Sequence, residues 1–468
     1  MTGQALTANG SRRSDTGRRH GRAAALLGLL LVVPSAACTY LGFVREKRSL
    51  RRELAAAPSV ALRRELAPED CFVLTGELAA GPGRRSPVVV AALTRSDGKP
   101  EIVGAWTFGP EDRRYDLFLP EADYVLVAGA DRNGDGFVDE TEVGLAAGGE
   151  GVHVGPARAE DVFLVRGPAI DPSRVSASGP GGDVRFRIPV RPHRLVVPSL
   201  DDPLFAPELG ARGLYRPMEL LARTQGLVFA LEPWDPDRTL VLFVHGAKGT
   251  PRDFRALVAG LDRKRHQAAF FYYPTGMPLR KVGLALAELL RAADGILDAG
   301  RIVVVAHSMG GLVSRFALGE LCAKGRPARL AGYVSFATPY GGMPAARLGS
   351  ELGPEPVPNW KDLTPGSPFL ADLYASRLPG DLPFHLFFAW GNDEGRGPGA
   401  AGDGTVPLPS QLHPEIQAQA TRLRGYGETH SGILGSPEAA KAFHAILAEM
   451  TAAPAPRRAK RGAAAGGK

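Results

Sequence analysis

The stretch IVVVAHSMGGLVSR, residues 302–315, decides the fold. It opens with an apolar run, Ile302 to Val305, that is short, β-branched and without a polar face, which reads as a strand buried on both sides. It continues with Leu312, Val313, Phe316 and Leu321 at helical spacing. Between them Ala306, Gly310 and Gly311 are small, so the chain can turn tightly while strand and helix pass close together. Such a turn aims Ser308 away from the sheet, with its hydroxyl at a helix N-terminus that favours developing negative charge. Working outward, four more apolar runs each end in a loop: Leu240–Val244 before His245-Gly246, Phe270–Tyr273 before Pro274-Thr275-Gly276, Tyr333–Ala337 before Thr338-Pro339, and Leu386–Trp390 before Gly391-Asn392-Asp393. Strands and helices alternate over residues 238–451. This rhythm predicts an α/β domain, a mostly parallel sheet with helices on both faces and its site at the carboxyl ends of the strands.

Ser308 is the candidate nucleophile, against the alternative of a structural serine. An oxyanion formed by its attack needs two backbone donors. One is expected from Met309, the residue after the nucleophile, and the other from Ala247 in the loop His245-Gly-Ala-Lys-Gly249. His245 in that loop reads as a brace for the turn rather than a base. Thr250-Pro251-Arg252-Asp253 has the signature of a helix start, and Phe254, Leu257, Val258 and Leu261 follow at helical spacing, so the loop is held between two rigid elements. The acid and histidine should come later in the chain, in that order. His385, His413, His430 and His444 follow Ser308; His385 begins a strand, His413 lies in a surface-like stretch before Pro414, and His444 lies on an apolar helical pattern. His430, in GETHSGIL between a short strand and the last helix, is the candidate base. Asp403, in GDGTVP, and Asp393, at a strand end, compete for the acid, and Asp403 is preferred. Its role would be to hold the imidazole tautomer and stabilise the imidazolium.

The strings FVHGAKGTPRDF, FYYPTG, VVVAHSMGGLVSR, FATPYGG and GDGTVP occur in this order. Together they resemble the lipase-like branch of the α/β-hydrolase superfamily, over about residues 238–450. The resemblance implies an α/β-hydrolase fold, a Ser308–Asp403–His430 triad, Met309 and Ala247 as oxyanion donors, and ester or thioester hydrolysis through an acyl-enzyme with no cofactor. Ala306 departs from the glycine usual at that position of the pentapeptide. Two other readings stay open: an amidase or acyltransferase with the same triad, and a non-catalytic binding protein on a hydrolase scaffold. The segment from Gly341 to Asp381, with Trp360, Leu363, Phe369, Leu370 and Tyr374 among prolines, reads either as an apolar cap over the site or as a helical insertion packed on the domain.

The rest of the chain reads as export and a second domain. In 468 residues, 44% hydrophobic, there is room for two globular units plus tails. Arg12, Arg13, Arg18, Arg19 and Arg22 precede an eleven-residue apolar run, Ala23–Val33, too short to span a bilayer well but suited to a signal peptide. Ser35-Ala36-Ala37-Cys38 follows, which resembles a bacterial lipoprotein signal with Cys38 as the lipidated residue, although Ser35 stands where an aliphatic residue is usual. We therefore expect residues 1–37 as signal peptide, 38–70 as a tether or short helix, and a protein of the bacterial cell envelope, anchored to the membrane. Residues 71–190 show short strands between Gly, Pro and Asp clusters, a small all-β sandwich-like domain. Inside it, Asp131, Asn133, Asp135, Asp139 and Glu142, with Gly136, fit a twelve-residue calcium loop, but a strand precedes it where an EF-hand has a helix. A structural calcium and an acidic turn without metal are the two readings. Residues 191–237 read as a Pro-rich linker and 452–468 as a disordered basic tail. Net charge is +7, much of it at the two ends, and no basic patch interleaved with aromatics points to nucleic acid. Cys71 and Cys322 are either an interdomain disulfide or two free thiols.

Overall fold

The structure, a computed structural model, describes residues 34–78, 87–96, 98–109, 114–145, 151–155, 164–170, 186–190, 194–291, 300–323, 325–351, 355, 357–391 and 401–452. Two helices lead, α1 (Pro34–Ala56) and α2 (Val60–Leu66). Ten strands follow: β1 (Cys71–Glu77), β2 (Val88–Ser96), β3 (Lys99–Phe108), β4 (Arg114–Pro120), β5 (Ala122–Ala130), β6 (Phe137–Asp139), β7 (Val143–Leu145), β8 (Gly151–Val154), β9 (Leu164–Arg166) and β10 (Arg187–Pro189). One sheet has the order β4-β1-β9, and the other β3-β2-β5-β7 with β8 on β5. Leu74, Leu117 and Leu119 of the first face Val88, Val90, Leu126 and Ala128 of the second, so the two sheets form a sandwich. The other face of β2 and β5 is covered as well, by Val138 and Ile188 of the β6–β10 pair. Burial on both faces is why Val88 to Leu93 is a continuous apolar run instead of an alternating one.

The second domain contains α3 (Pro207–Tyr215), α4 (Pro217–Thr224), β11 (Val228–Ala230), β12 (Thr239–Val244), α5 (Arg255–Ala259), β13 (His266–Phe271), α6 (Leu279–Arg291), β14 (Ile302–His307), α7 (Met309–Cys322) and β15 (Leu330–Phe336). It continues with α8 (Pro344–Glu351), α9 (Pro358–Leu363), α10 (Pro368–Ala375), β16 (Phe384–Ala389), α11 (Leu408–Gln411), α12 (Pro414–Gln417), β17 (Arg422–Tyr426) and α13 (Pro437–Met450). Its seven-stranded sheet runs β11-β13-β12-β14-β15-β16-β17, and every neighbouring pair is parallel except β11 with β13. Alternate residues feed two cores. Leu240, Leu242, Val244, Val304 and Ala306 pack with α6 and α7 on one face, and Val241, Phe243, Val303 and Val305 pack with Phe254, Leu257 and Phe443 on the other. The domain has the α/β-hydrolase fold.

The expected boundaries change in two places, both because apolar side chains find a core. Residues 191–237 are not a linker where described: Phe205 is fully buried against Phe229 and Tyr272, and Val196 bridges Ala230 at the sheet edge. Residues 38–70 take the helical alternative, and the helices are docked. Phe43 and Val44 of α1 enter the core beneath the parallel sheet, beside Cys71, and Lys47 Nζ donates to the Glu65 and Leu66 carbonyls at 2.5 and 2.7 Å. The signal segment up to residue 33 and the tail from 453 lie outside the described residues. The 341–381 segment is the helical insertion: Trp360, Leu363, Phe369, Leu370 and Leu373 are buried in the α6–α7 core. Cys71 and Cys322 are free and buried, and burial pushes the Cys71 thiol up to about 12, so the disulfide reading falls.

Docking of α1 predicts a measurable penalty. Phe43→Ala in the full chain should lower unfolding free energy by about 3–5 kcal/mol in a denaturant titration, the usual cost of emptying a buried phenylalanine site. An unchanged midpoint would mean that α1 is a tether after all.

Candidate active site

The turn between β14 and α7 is built as its small residues require. Ser308 has φ 53° and ψ −130°, a conformation that side-chain-bearing residues avoid. Its amide is held by the Phe336 carbonyl at 2.8 Å. A Cβ on Gly310 would strike the carbonyls of Val244 and His245, and one on Gly311 would strike Thr338, so α7 can begin here only with glycines. A Cβ on Gly246 would lie 2.8 Å from Ser308 Cβ. The loop after β12 therefore crosses directly against the serine.

The structure brings Ser308, His430 and Asp403 together, though 122 residues separate the first two. His430 Nε2 is 2.8 Å from Ser308 Oγ, and His430 Nδ1 is 2.7 Å from Asp403 Oδ2. With the carboxylate accepting at Nδ1–H, Nε2 is left to accept the serine proton. The Asp403 side chain is fully buried. Its Oδ1 accepts the Thr405 and Val406 amides at 2.9 and 2.7 Å, and the His430 amide donates to the Asp403 carbonyl at 3.0 Å. Asp393, the competing acid, lies outside the described residues.

Met309 directly follows Ser308 and is the first residue of α7, so its amide has no intrahelical acceptor. Ala247 directly follows Gly246 and is exposed. Its loop is braced on three sides. His245 stacks on Tyr273 with ring centroids 4.5 Å apart, donates from Nδ1 to the Gly246 carbonyl at 2.8 Å, and accepts the Tyr273 amide at Nε2. Lys248, in the left-handed region at φ 58°, donates its amide to Thr275 Oγ1 at 3.2 Å. Thr250 and Asp253 form a reciprocal cap.

Three positioning side chains went unassigned in the sequence reading. Gln411, fully buried, donates from Nε2 to Asp403 Oδ2 at 3.2 Å and to the Ala389 carbonyl at 3.0 Å, and accepts the Ala389 amide at 2.9 Å, which ties the acid to the end of β16. His307 donates from Nε2 to the His430 carbonyl at 2.9 Å. Asn359 of α9 donates to the Thr275 carbonyl at 2.6 Å and approaches Met309 Sδ at 3.6 Å. Only His307 carried a sequence signal, its place inside the elbow.

The five acidic-loop residues are placed differently from a ligand set. Asp131 accepts the amides of Gly134, Asp135 and Gly136. Glu142 accepts those of Arg132, Asn133 and Asp139. Asn133 and Asp139 accept Asp135 and Thr141, and Asp135 pairs with Arg187 at 2.7 Å. Among the described residues no group of His, Cys, Asp or Glu is placed to hold a metal. The structure lends the calcium reading no support: the oxygens accept loop amides and, at Asp135, a guanidinium.

The fold is that of an α/β-hydrolase, and the arrangement of the site resembles that of the lipase-like enzymes. Residues 235–349 match the family described as "Putative serine esterase (DUF676)". Among solved structures, the chain is similar to the mature form of the Bacillus licheniformis lipase BlEst2, at 20% identity and TM-score 0.37, over 48% of this chain and 98% of that one. It spans 55% of the propeptide form of that lipase. It is also similar to Est1E from Butyrivibrio proteoclasticus, at 16% identity and TM-score 0.35, over 48% and 93% of the two chains. A search of curated protein sequences finds no match.

The histidines around the site predict an acid limit. Burial holds His245 down at about 4, burial followed by the neighbouring His430 holds His307 down at about 3, and burial holds His385 at about 4. Each stays neutral in the fold while the unfolded chain takes up a proton below about 6.5, so stability is lost as pH falls from there. Asp253, pushed up to about 6 by burial, acts in the opposite sense. These four groups together net two protons, or roughly 2–3 kcal/mol per pH unit between about pH 6 and 4; His266 and His413, lowered by burial, add to that slope, and Glu65 and Asp362, raised by burial, offset it. Denaturant titrations across this window should show it; a flat profile would contradict the buried neutral histidines.

Proposed function

We propose that the protein is an exported, membrane-anchored carboxylic ester hydrolase that works through a Ser308–His430–Asp403 triad and an acyl-enzyme. The observation that carries the reading is the unbroken line from Ser308 Oγ through the His430 ring to Asp403, with bonds of 2.8 and 2.7 Å. In the reaction, His430 Nε2 takes the Ser308 proton as Oγ attacks the ester carbonyl. The amides of Met309 and Ala247 hold the oxyanion, and a pair of such donors is worth more in a dry, pre-set site than in water. His430 returns the proton to the leaving alcohol. Water then attacks the acyl-enzyme with the same base, and the serine is regenerated. Asp403 remains ionised and keeps the ring in the working tautomer.

The family description, a serine esterase, supports an ester substrate. The lipoprotein-type signal ending at Cys38 supports an envelope location with a lipid anchor. Among the described residues no helix is long and apolar enough to cross a membrane.

Ser308→Ala should abolish hydrolysis of p-nitrophenyl esters and labelling by a fluorophosphonate, while the melting temperature holds. Folded wild-type protein that takes up no probe would favour a non-catalytic role. A chain-length series of the same esters reads the acyl preference.

The brace on the donor loop gives a second prediction. Thr275→Val removes the hydroxyl that accepts the Lys248 amide in a half-buried bond and should lower kcat roughly tenfold with KM little changed, since a lost oxyanion donor costs at most ~100–1000-fold. Thr275→Ser keeps the hydroxyl and should restore the rate. Equal behaviour of the two variants would remove Thr275 from this role.

A further inference from the structure

Helix α1 sorts its charges. Glu46 and Glu53 turn inward to α3 and the residue after it: Glu46 meets Arg212 at 3.5 Å and also pairs with Arg216, and Glu53 meets Arg216 at 3.2 Å. Arg51 reaches Glu355 in the insertion. Phe43, Val44, Lys47 and Leu50 are buried. Arg45, Arg48 and Arg52 are exposed, and none of them forms an ion pair among the described residues. Leu41, 45% exposed, is one of the few large apolar side chains left in solvent among the described residues. At about 100° per residue, Leu41, Arg45, Arg48 and Arg52 share an arc of roughly 60°. An apolar residue and three uncompensated cations thus form one stripe, opposite the buried face.

The helix that carries this stripe is one layer from the site. Gly42 of α1 lies against Tyr215 at the end of α3, and Gly210 of α3 lies against the carbonyls of Lys248 and Gly249 in the candidate oxyanion loop. A surface that binds α1 is therefore held at a set angle to the mouth of the site.

We propose that this stripe is an interfacial docking surface for an anionic lipid bilayer, with the arginines at the phosphate level and Leu41 dipping below them. Anionic lipid fits better than nucleic acid for two reasons. The eleven-residue apolar run Ala23–Val33 lies close ahead of the helix in sequence, and the stripe has no aromatic ring on which a base could stack. The proposal extends the envelope reading above without requiring acylation of Cys38.

The test uses the full chain carrying Cys38→Ser, so that no lipid is attached however the signal is processed. Binding is measured by sedimentation with phosphatidylcholine vesicles, with and without phosphatidylglycerol. A basic residue near an anionic surface contributes a factor of about five, so Arg45→Gln/Arg48→Gln/Arg52→Gln should lower partition onto the anionic vesicles roughly 100-fold. Added salt should remove the same increment, and neutral vesicles should bind parent and variant alike. A control with the same loss of charge, Arg263→Gln/Arg422→Gln/Arg424→Gln, should bind like the parent. The proposal is overturned if the stripe variant binds anionic vesicles as the parent does, or if the control loses as much. Whether natural Cys38 is acylated is read separately from the intact mass, so failure of the anchor and failure of the stripe are distinct results.

Discussion

One strained residue governs the architecture of the site. Ser308 sits at φ 53° between a fully buried strand and a helix whose first turns are buried all round. Left-handed backbone at such a residue costs about 1–3 kcal/mol, and it persists because the parallel sheet, with strands buried on both faces, leaves the chain no other way to enter α7. The same tightness dictates Gly246, Gly310 and Gly311, each of which faces atoms that a Cβ would strike. Strand, turn, helix and neighbouring loop are thus one packing solution, and the exposed hydroxyl is its product.

Around that turn the polar groups are set from separate parts of the chain. Gln411 couples Asp403 to β16, His307 couples the elbow to the backbone of His430, and Thr275 with Asn359 couples the loop after β12 to the insertion. Each bond is between buried or half-buried partners, where an unpaired group is expensive, so the arrangement is held more firmly than its hydrogen-bond count suggests. The N-terminal helix joins this scheme through α3. The segment nearest the expected membrane anchor is therefore mechanically continuous with the site.

The α/β domain was legible because its signals are local. A buried strand, an obligatory small-residue turn and an apolar helical stripe are all written within residues 302–321, and the order of acid and histidine follows from the fold. Gln411, Thr275 and Asn359 were not legible, because a polar side chain that braces a loop has no spacing rule and is defined only by what folds next to it. The docking of the first helices and the core contacts of the expected linker were not legible for a related reason. Phe43 and Phe205 sit in segments rich in charge or proline, and nothing local tells that a core lies within reach. In the acidic loop the residue types fit calcium, and the structure shows their oxygens accepting loop amides and, at Asp135, the Arg187 guanidinium.

The central claim is spatial, and a crystal structure of the phosphonate-treated protein tests it most directly. The account predicts phosphorus bonded to Ser308 Oγ, one phosphonyl oxygen about 3 Å from both the Met309 and Ala247 amides, and the His430 ring still bridging Asp403. Phosphorus on another residue, or an adduct at Ser308 whose oxygen meets neither amide, would contradict it.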